Sequence, residues 1–300
     1  MELVILAAGM GSRFGGLKQI EPIDEWGNFI IDYSVFDAIQ AGFNRVIFVI
    51  KEELQEEFKK TIGKRIENKI EVKYVYQKID DVPFDVGKVK RTKPWGTGHA
   101  IMAARKAIKE NFLIINSDDF YGKESFTIAY DFLKSLPSTS KRSYANVAFR
   151  VSNTLTENGG VKRGVCFYDE EKNLNEIIES VVIEQNKKII ATPLNENIKS
   201  FEIDSTQLVS MNMFAFSYDF LAILDNEFNE FYNNNIDNLE TSEFLTTDIV
   251  SKLIKEKKAT VQILETSSKW HGVTYSKDKE KVVREIKKLI DAGQYKKGLW

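Results

Sequence analysis

Residues 2–18 read ELVILAAGMGSRFGGLK, an apolar run that leads directly into a loop with four glycines. The run at residues 3–8 is rich in large and β-branched side chains, and it predicts a buried first strand. The loop that follows carries two cations, Arg13 and Lys18. A strand followed by a glycine turn and cations is typical of loops that wrap backbone N–H groups around phosphates. The start of the chain therefore predicts a phosphate-binding loop at the end of a strand.

Two common phosphate loops do not fit this stretch. The dinucleotide fingerprint requires a third glycine where Phe14 stands, and the P-loop requires Lys and then Ser or Thr after Gly16, which is followed by Leu17. What remains is a loop whose two cations, Arg13 and Lys18, suit a triphosphate and the charge that develops in nucleotidyl transfer. The alternative is a tight turn whose glycines only permit positive φ and whose cations face solvent.

The rest of the chain alternates β-rich runs with helix-length segments, which predicts an α/β fold. Runs such as VIFVI and FLIIN lack the polar alternation of a half-exposed strand, so we expect strands that are buried on both faces, as parallel strands are. From about residue 140, turn-rich polar connections favour a mixed, partly antiparallel half. We expect one two-lobed domain over residues 1–300. The predicted strands cover residues 3–8, 45–50, 72–76, 112–116, 146–151, 164–168, 181–184, 209–216 and 260–264, and the late helices cover 241–257 and 278–292.

The composition excludes several classes of partner and of structural site. The 42 Lys and Arg against 44 Asp and Glu leave a formal net charge of -2, so no global basic field favours nucleic acid or anionic lipid. One cysteine, Cys166, and two histidines, His99 and His271, exclude an internal disulfide and a His/Cys zinc cluster, and favour a reducing cytoplasm. No secretory signal pattern and no stretch near the roughly 20 apolar residues of a membrane span is present. We therefore expect a cytoplasmic protein that acts on small molecules.

The first motif resembles that of a known family. Residues 6–23, LAAGMGSRFGGLKQIEPI, are similar to the signature of the nucleotidyltransferases that join a nucleoside triphosphate to a sugar 1-phosphate, the nucleoside-diphosphate-sugar pyrophosphorylases. The resemblance implies a Rossmann-like, mixed and mostly parallel sheet of the GT-A-like type, with a nucleotide-binding half at 1–122 and an acceptor-binding, sugar-binding lobe at 123–300. It also implies that Arg13 and Lys18 are catalytic. The nucleotide-binding residues that it implies in this motif are Leu6, Ala7, Ala8, Gly9, Gly11, Ser12 and Arg13.

A second motif concerns the base of the nucleotide. Gln77 follows the predicted strand EVKYVY, and residues 94–100, PWGTGHA, open a predicted helix. A glycine-flanked helix start leaves N–H groups for a base edge, and an amide side chain can both donate and accept toward a pyrimidine imide. The run resembles the G-T-G-H-A segment of uridylyltransferases acting on N-acetylglucosamine 1-phosphate, which implies that Gln77, Gly96 and Thr97 contact the base, with uracil favoured. His99 is interpreted as a core or capping histidine and not as a catalytic one.

A third motif, NSDDFYG at residues 116–122, carries two carboxylates after a predicted strand. Adjacent strand residues point to opposite faces, so only one of Asp118 and Asp119 is expected to bind an ion. A hard oxygen donor beside a phosphate loop suits Mg²⁺, whereas the alternative role is helix capping or a turn. The run resembles the metal-aspartate motif of the family. That resemblance implies a catalytic Mg²⁺ ligand at Asp118, and it implies that Asp119 lies nearer the sugar or behind the direct ligands of the metal.

The acceptor half carries weaker signals. Two stretches around Gly164 and Glu179 resemble the family segments that place a glycine against the sugar and a glutamate on its hydroxyls. Ser180 stands where family members often carry a lysine. Asn212, in the run VSMNMFAF, matches an asparagine that contacts the sugar in relatives. Turn chemistry or strand packing is the alternative role for Gly164, Glu179 and Asn212.

A departure from the family pattern occurs at residues 270–278, WHGVTYSKD. Relatives supply an aspartate or asparagine as a second metal ligand in this stretch, and Thr274 falls at that position. A neutral hydroxyl is a weak Mg²⁺ donor. Asp278 lies nearby, but it coincides with a predicted helix start, where capping is its expected role. We therefore expect any Mg²⁺ to be held by Asp118, waters and substrate phosphates.

The resemblance implies attack of a sugar 1-phosphate oxygen on the α-phosphorus of a nucleoside triphosphate, with UTP favoured. Pyrophosphate leaves and a nucleotide sugar forms. Three alternatives stay open: cytidylyl transfer to phosphocholine or a sugar acid, a glycosyltransferase of related fold, and a catalytically weak nucleotide sensor. Mg²⁺ is the expected cofactor, and neither nucleic acid nor a membrane is an expected partner.

Overall fold

The computed structural model describes residues 1–9, 22–85, 87, 89–137, 142–156, 159–272 and 278–300. Four strands of the first half are β1 (Glu2–Leu6), β2 (Arg45–Ile50), β3 (Glu71–Tyr76) and β4 (Phe112–Asn116). They pair in parallel in the order β3-β2-β1-β4. The chain thus moves outward from β1 to β3 and then crosses to the other side of β1. A switch of this kind opens a crevice at the carboxyl ends of the strands, where open α/β sheets bind ligands.

The second half extends the same sheet. Its strands are β5 (Asp119–Phe120), β6 (Ser143–Arg150), β7 (Val161–Tyr168), β8 (Leu174–Gln185), β9 (Lys188–Pro193), β10 (Phe201–Ile203), β11 (Leu208–Phe216), β12 (Thr260–Thr266) and β13 (His271–Gly272). β11 pairs antiparallel with β4, and the sheet continues through antiparallel pairs from β7 to β10. β6 pairs with β11 and, in parallel, with β12, while β5 and β13 form a separate two-stranded ribbon. The predicted mixed α/β architecture is confirmed.

The helices cover both faces of this sheet. They are α1 (Ile30–Ala41), α2 (Gln55–Phe58), α3 (Lys64–Ile66), α4 (Thr97–Ala104), α5 (Lys123–Ser135), α6 (Leu224–Asn234), α7 (Thr246–Lys255) and α8 (Asp278–Asp291). Helices α1, α2, α3 and α5 contribute to the core on one face, and α4, α6 and α7 contribute to the core on the other. Within the described part of the chain, none of the helices has the length and apolarity needed to cross a membrane.

Strand β1 is buried on both faces, as its apolar sequence predicts. The side chains of Leu3 and Ile5 enter one core, that of Val4 enters the other, and all three are fully buried. Full burial of one such side chain contributes about 1.5–3 kcal/mol relative to exposure. The strand therefore lies at the centre of the fold, and the crevice at its carboxyl end rests on a rigid support.

Several elements differ from the sequence-based prediction: β1 ends at Leu6, and β9, β10 and α6 were not predicted. Two further differences have a clear physical reason. β8 begins well before the predicted 181–184 because its first half, LNEIIE, pairs with β7 although it lacks a regular strand pattern. Helix α7 begins at Thr246 instead of residue 241 because the segment before it is held by another part of the chain. The N–H of Phe244 donates to the carbonyl of Trp95, and the carbonyl of Phe244 accepts from the N–H of Gly98 at 2.9 Å.

A buried carboxyl on α1 gives the fold a pH dependence. Burial raises the pKa of Asp37 to about 7, and the Tyr295 hydroxyl donates to its Oδ2 at 2.7 Å. The pKa in the unfolded chain is about 3.9, so the stability that protonation of Asp37 contributes is lost as pH rises from about 4 through about 7. Asp37→Asn keeps an acceptor for Tyr295 and cannot ionise. We expect this variant to be more stable than the wild type at pH 8, by about 1 kcal/mol or more.

Urea unfolding of both proteins at pH 5 and pH 8 measures this difference. Tyr295→Phe is the control, because it removes the hydrogen bond but leaves the carboxyl ionisable, and it should keep the loss of stability at high pH. Parallel stability curves for the wild type and Asp37→Asn would show that Asp37 is not responsible.

Candidate active site

The carboxyl end of β1 leads straight into the crevice. Ala7 donates its N–H to the carbonyl of Val49 at 2.8 Å, and Ser117 donates its N–H to the carbonyl of Leu6 at 3.2 Å. Ala7 and Ala8 are buried, whereas Gly9 is exposed and no described atom lies within 4 Å of where its Cβ would stand. The chain therefore leaves the sheet at Gly9, next to the turn that follows β4. The predicted residues Gly11, Ser12, Arg13 and Lys18 lie outside the described residues.

The predicted base-binding residues come together at the end of β3. Gln77 donates its backbone N–H to the carbonyl of Ile50 at 3.0 Å, which continues the pairing of β2 and β3. Its side-chain Nε2 donates to the carbonyl of Gly96 at 2.9 Å and lies 3.1 Å from Nδ1 of His99. Gly96 has a φ of +109°, and a Cβ there would lie 2.7 Å from the carbonyl oxygen of Phe244. Glycine is thus required where the chain turns into α4.

Thr97, the first residue of α4, has a partner far along the chain. Its hydroxyl oxygen accepts from the N–H of Thr246 at 3.0 Å and lies 3.1 Å from the Thr246 hydroxyl. Thr246 is the first residue of α7, so this hydroxyl satisfies one of the N–H groups that a helix start leaves without an internal partner. The side chain of Thr97 therefore links the first turn of α4 to the first turn of α7. Whether it also contacts a base stays a prediction.

Asp118 and Asp119 lie in different environments at the end of β4. Asp118 is half-buried in a turn, whereas Asp119 is buried in β5. Oδ2 of Asp119 accepts from Nδ2 of Asn116 at 2.9 Å and lies 3.1 Å from the Tyr121 hydroxyl. Burial, and after it the charge of Asp118, raise the pKa of Asp119 to about 7. Of the two carboxylates, Asp119 is tied into the protein interior and Asp118 is the one nearer the crevice surface.

Asn212 joins the acceptor half to the same cluster. It lies in an irregularity of β11 between Ser210 and Phe214 and has a φ of +58°. Left-handed backbone is uncommon for residues other than glycine, and asparagine tolerates it better than most. Nδ2 of Asn212 donates to Oδ1 of Asn116 at 2.8 Å. Because Asn116 donates its own amide N–H to Asp119, its oxygen faces Asn212, and the oxygen of Asn212 is left as an acceptor.

Gly164 and Glu179 are brought together by strand pairing. They lie directly opposite each other on β7 and β8, and Gly164 also pairs with Ser210 on β11. A Cβ on Gly164 would lie 2.6 Å from Cγ2 of Ile177 and 3.3 Å from Oε1 of Glu179. The glycine thus leaves room for the carboxylate. Burial raises the pKa of Glu179, the charge of Asp248 raises it further, and a hydrogen bond from Thr247 opposes the shift.

Two functional candidates were missed from the sequence. Asn116 connects Asp119 to Asn212, and its only sequence signal is its place as the last residue of FLIIN before the two carboxylates. Arg163 is buried, donates from Nε to the Thr154 hydroxyl at 3.0 Å, and stacks over Trp270 at 4.4 Å. Its charge lowers the pKa of Asp119 and so offsets part of the effect of burial. The position of Arg163 next to Gly164 was its only signal in the sequence.

The second predicted metal position does not enter this geometry. Thr274 lies outside the described residues. Asp278 is the first residue of α8, is buried, and accepts from the Thr156 hydroxyl at 3.0 Å, which agrees with a structural role at the helix start. In the part of the chain that the structure describes, no group of three or more His, Cys, Asp or Glu side chains could hold a metal ion. The metal role of Asp118 stays a prediction.

Two solved structures share this fold. The inositol-1-phosphate CTP transferase from T. maritima is 14% identical, with a TM-score of 0.60 over 97% of this chain and 96% of that chain. A UDP-glucose pyrophosphorylase complexed with UDP-glucose is 18% identical, with a TM-score of 0.58 over 96% of this chain and 98% of that chain. At these identities the likeness concerns the fold alone.

Sequence comparison adds the family. Among curated proteins, no sequence matches this chain significantly. The family model described as nucleotidyl transferase matches residues 2–284, nearly the whole of the 300-residue chain. The signature after β1, the carboxylates after β4 and the shared fold agree with this match. The chain belongs to the nucleotidyl transferase family.

Proposed function

We propose that this nucleotidyltransferase transfers a uridylyl group from UTP to a sugar 1-phosphate, releasing pyrophosphate and forming a nucleotide sugar. The observation that carries the proposal is the pairing of Leu6 with Asn116 in adjacent parallel strands. It brings the start of the glycine loop beside Asp118 and, through Asn116, beside Asn212. The point where the chain enters the predicted phosphate loop thus lies near a carboxylate suited to a metal and an amide suited to a hydroxyl.

The chemistry needs positioning and charge neutralisation more than a general base. A phosphate nucleophile is already anionic near pH 7, so no side chain has to remove a proton before attack on the α-phosphorus. In this proposal Arg13 stabilises the leaving pyrophosphate, and Lys18 contacts the transferring or acceptor phosphate. Holding the two substrates in line supplies much of the remaining acceleration.

The residues of the crevice fit a Mg²⁺ site with one protein carboxylate. Asp119 is buried and contacts Asn116 and Tyr121, and Asp118 is a hard oxygen donor in a half-buried turn at the end of β4. Mg²⁺ in proteins is often bound through one or two carboxylates together with waters and substrate phosphates, so a single aspartate is sufficient. When bound, the ion would neutralise charge on the phosphates of the nucleotide. The role of Asp118 is to hold the ion at the carboxyl end of β4.

The acceptor is assigned to residues of β7, β8 and β11, which pair with one another. Glu179 and Asn212 offer acceptors for sugar hydroxyls, Gly164 gives space beside Glu179, and Asp119 orients Asn116 and through it Asn212. The base is assigned to Gln77, Gly96 and Thr97. The two structural neighbours differ in nucleotide, since one is a CTP transferase and the other is a pyrophosphorylase complexed with UDP-glucose.

The first experiment is pyrophosphate release from UTP, CTP, GTP, ATP and dTTP with Mg²⁺, each against a panel of sugar 1-phosphates plus inositol 1-phosphate and phosphocholine. We expect release with UTP and one sugar 1-phosphate. Release only with phosphocholine would keep the transferase mechanism and overturn the sugar assignment. Nucleotide binding with no release for any pair would overturn the proposed reaction and favour a nucleotide sensor.

Asp118→Asn tests the metal assignment. Because the amide is a much weaker Mg²⁺ ligand than the carboxylate, we expect kcat to fall at least about 100-fold and the Mg²⁺ concentration for half-maximal rate to rise. The control is Asp131→Asn, which removes a carboxylate from the exposed side of α5 and should leave both values unchanged. If Asp118→Asn and the wild type depend equally on the Mg²⁺ concentration, Asp118 is not a metal ligand.

Glu179→Gln tests the acceptor pocket. A buried carboxylate that accepts from sugar hydroxyls binds them more strongly than a neutral amide does, so we expect KM for the sugar 1-phosphate to rise roughly tenfold. KM for UTP should change less than twofold. Glu184→Gln, an exposed position on the same strand, is the matched control. An increase in the KM for UTP alone would place Glu179 outside the acceptor pocket.

A further inference from the structure

The amide of Gln77 faces two acceptors, and this fixes its orientation. A backbone carbonyl can only accept, so the group of Gln77 that lies 2.9 Å from the carbonyl of Gly96 must be its NH₂. The second neighbour of the same nitrogen is Nδ1 of His99, at 3.1 Å. The tautomer of His99 decides whether that contact is compatible with the first.

The contact of Nε2 with a backbone carbonyl determines the tautomer of His99. Nε2 lies 3.1 Å from the backbone carbonyl of Asp81, which can only accept, so Nε2 carries the hydrogen. The ring is fully buried, and burial lowers the pKa of His99 to about 4, so the imidazole is neutral at the pH of most enzymes. A neutral ring with its hydrogen on Nε2 has a lone pair on Nδ1. His99 and Gly96 therefore both present acceptors to the nitrogen of Gln77.

The consequence concerns the oxygen of Gln77. All hydrogen bonds of its side chain within the described residues run from Nε2, and the amide plane directs Oε1 away from Gly96 and His99. We propose that His99 is a positioning residue which holds the Gln77 amide so that its carbonyl, and not its NH₂, meets the edge of the nucleotide base. This inference rests on the nucleotide pocket of the proposed function and deepens it, because it predicts which base the pocket accepts.

A carbonyl at this position discriminates between uracil or thymine on one side and cytosine on the other. N3 of uracil or thymine carries a hydrogen and can donate to Oε1, whereas N3 of cytosine is a lone pair that would face another lone pair. A site built around one hydrogen bond rejects a ligand that leaves the buried group unpaired. The fixed orientation of Gln77 therefore favours uridine and thymidine nucleotides over cytidine nucleotides. If Gln77 were free to rotate, its NH₂ could pair with N3 of cytosine and the discrimination would disappear.

The elements around His99 hold it in this state. Asp81 is kept in a turn by the hydrogen bond from its N–H to the carbonyl of Lys78, and Arg105 lies 3.9 Å from its carboxylate. The ring of Phe228 packs against the imidazole at a centroid distance of 5.8 Å. The imidazole is thus confined between a polar turn and an aromatic side chain, which leaves little freedom to turn over.

Two substitutions of His99 test its contacts with Gln77 and Asp81 one at a time. In Asn the side-chain amide reaches about as far as Nδ1 of histidine, and in Gln it reaches about as far as Nε2. His99→Asn can therefore keep an acceptor for Gln77 while losing Asp81, and His99→Gln can keep Asp81 while losing the acceptor. Both place a polar amide in the same buried space, so they are matched for the cost of the substitution.

The readout is the ratio of the dissociation constants of CTP and UTP, measured by titration calorimetry, because it does not depend on turnover. We expect the wild type to bind UTP at least tenfold more tightly than CTP. His99→Gln should reduce this preference to less than threefold, and His99→Asn should keep it within threefold of the wild type. In a Gln77→Ala background the preference should be absent, and adding His99→Gln should change it no further. Melting temperature reports whether each variant folds.

The outcomes distinguish this inference from the proposed function. A wild type that prefers CTP, or a His99→Gln variant with an unchanged preference, would overturn the inference even if pyrophosphate release confirms a transferase. If His99→Asn and His99→Gln lose the preference for UTP over CTP equally, the histidine has only a general structural role. That result would overturn positioning of Gln77 through Nδ1. A preference for UTP that depends on His99 in a protein with no turnover would support the inference and overturn the reaction.

Discussion

The parallel pairing of β1 with β2 on one side and β4 on the other is the constraint on which the rest of the molecule depends. Burial of Leu3, Val4 and Ile5 on both faces fixes the strand at the centre of the sheet, and the register then places Leu6 between Val49 and Asn116. Because parallel strands end at the same edge, the start of the glycine loop and the carboxylate turn become neighbours without any direct attraction between them. The position of the site thus follows from hydrophobic burial.

Two polar links then join the first half of the chain to the second half. One runs from Asp119 through Asn116 to Asn212, where each amide donates to the next oxygen and so fixes the direction of the following one. The other lies at the start of α7. There the N–H of Thr246 donates to the hydroxyl oxygen of Thr97, and the side chain of Thr247 hydrogen-bonds to Glu179. Buried networks of this kind specify one arrangement when every member is satisfied. The residues proposed to bind the base and those proposed to bind the acceptor are therefore held in a fixed relation.

How much of this could be predicted from the sequence depends on the range of the interactions. The bounds of β2 and β4 match the prediction because continuous apolar runs with polar ends mark buried parallel strands. Gln77 and Gly96 were both assigned to one base pocket, but the hydrogen bond between them was not predicted. The partner of the Thr97 hydroxyl is 149 residues away, and the Nδ1 contact of His99 depends on a turn of the chain that has no periodic signal. Composition and periodicity report which residues are buried, and not which atoms meet.

The adjacent carboxylates show why burial matters at the proposed nucleotide site. Two ionised aspartates in one crevice would repel a triphosphate, although one is useful as a metal ligand. The chain turns Asp119 inward, where burial raises its pKa to about 7 and the buried guanidinium of Arg163 compensates the charge that remains. Asp118 stays half-buried at the surface of the crevice. The same two residues on an exposed turn would present two negative charges to the nucleotide, so the fold itself sets the electrostatic balance of the site.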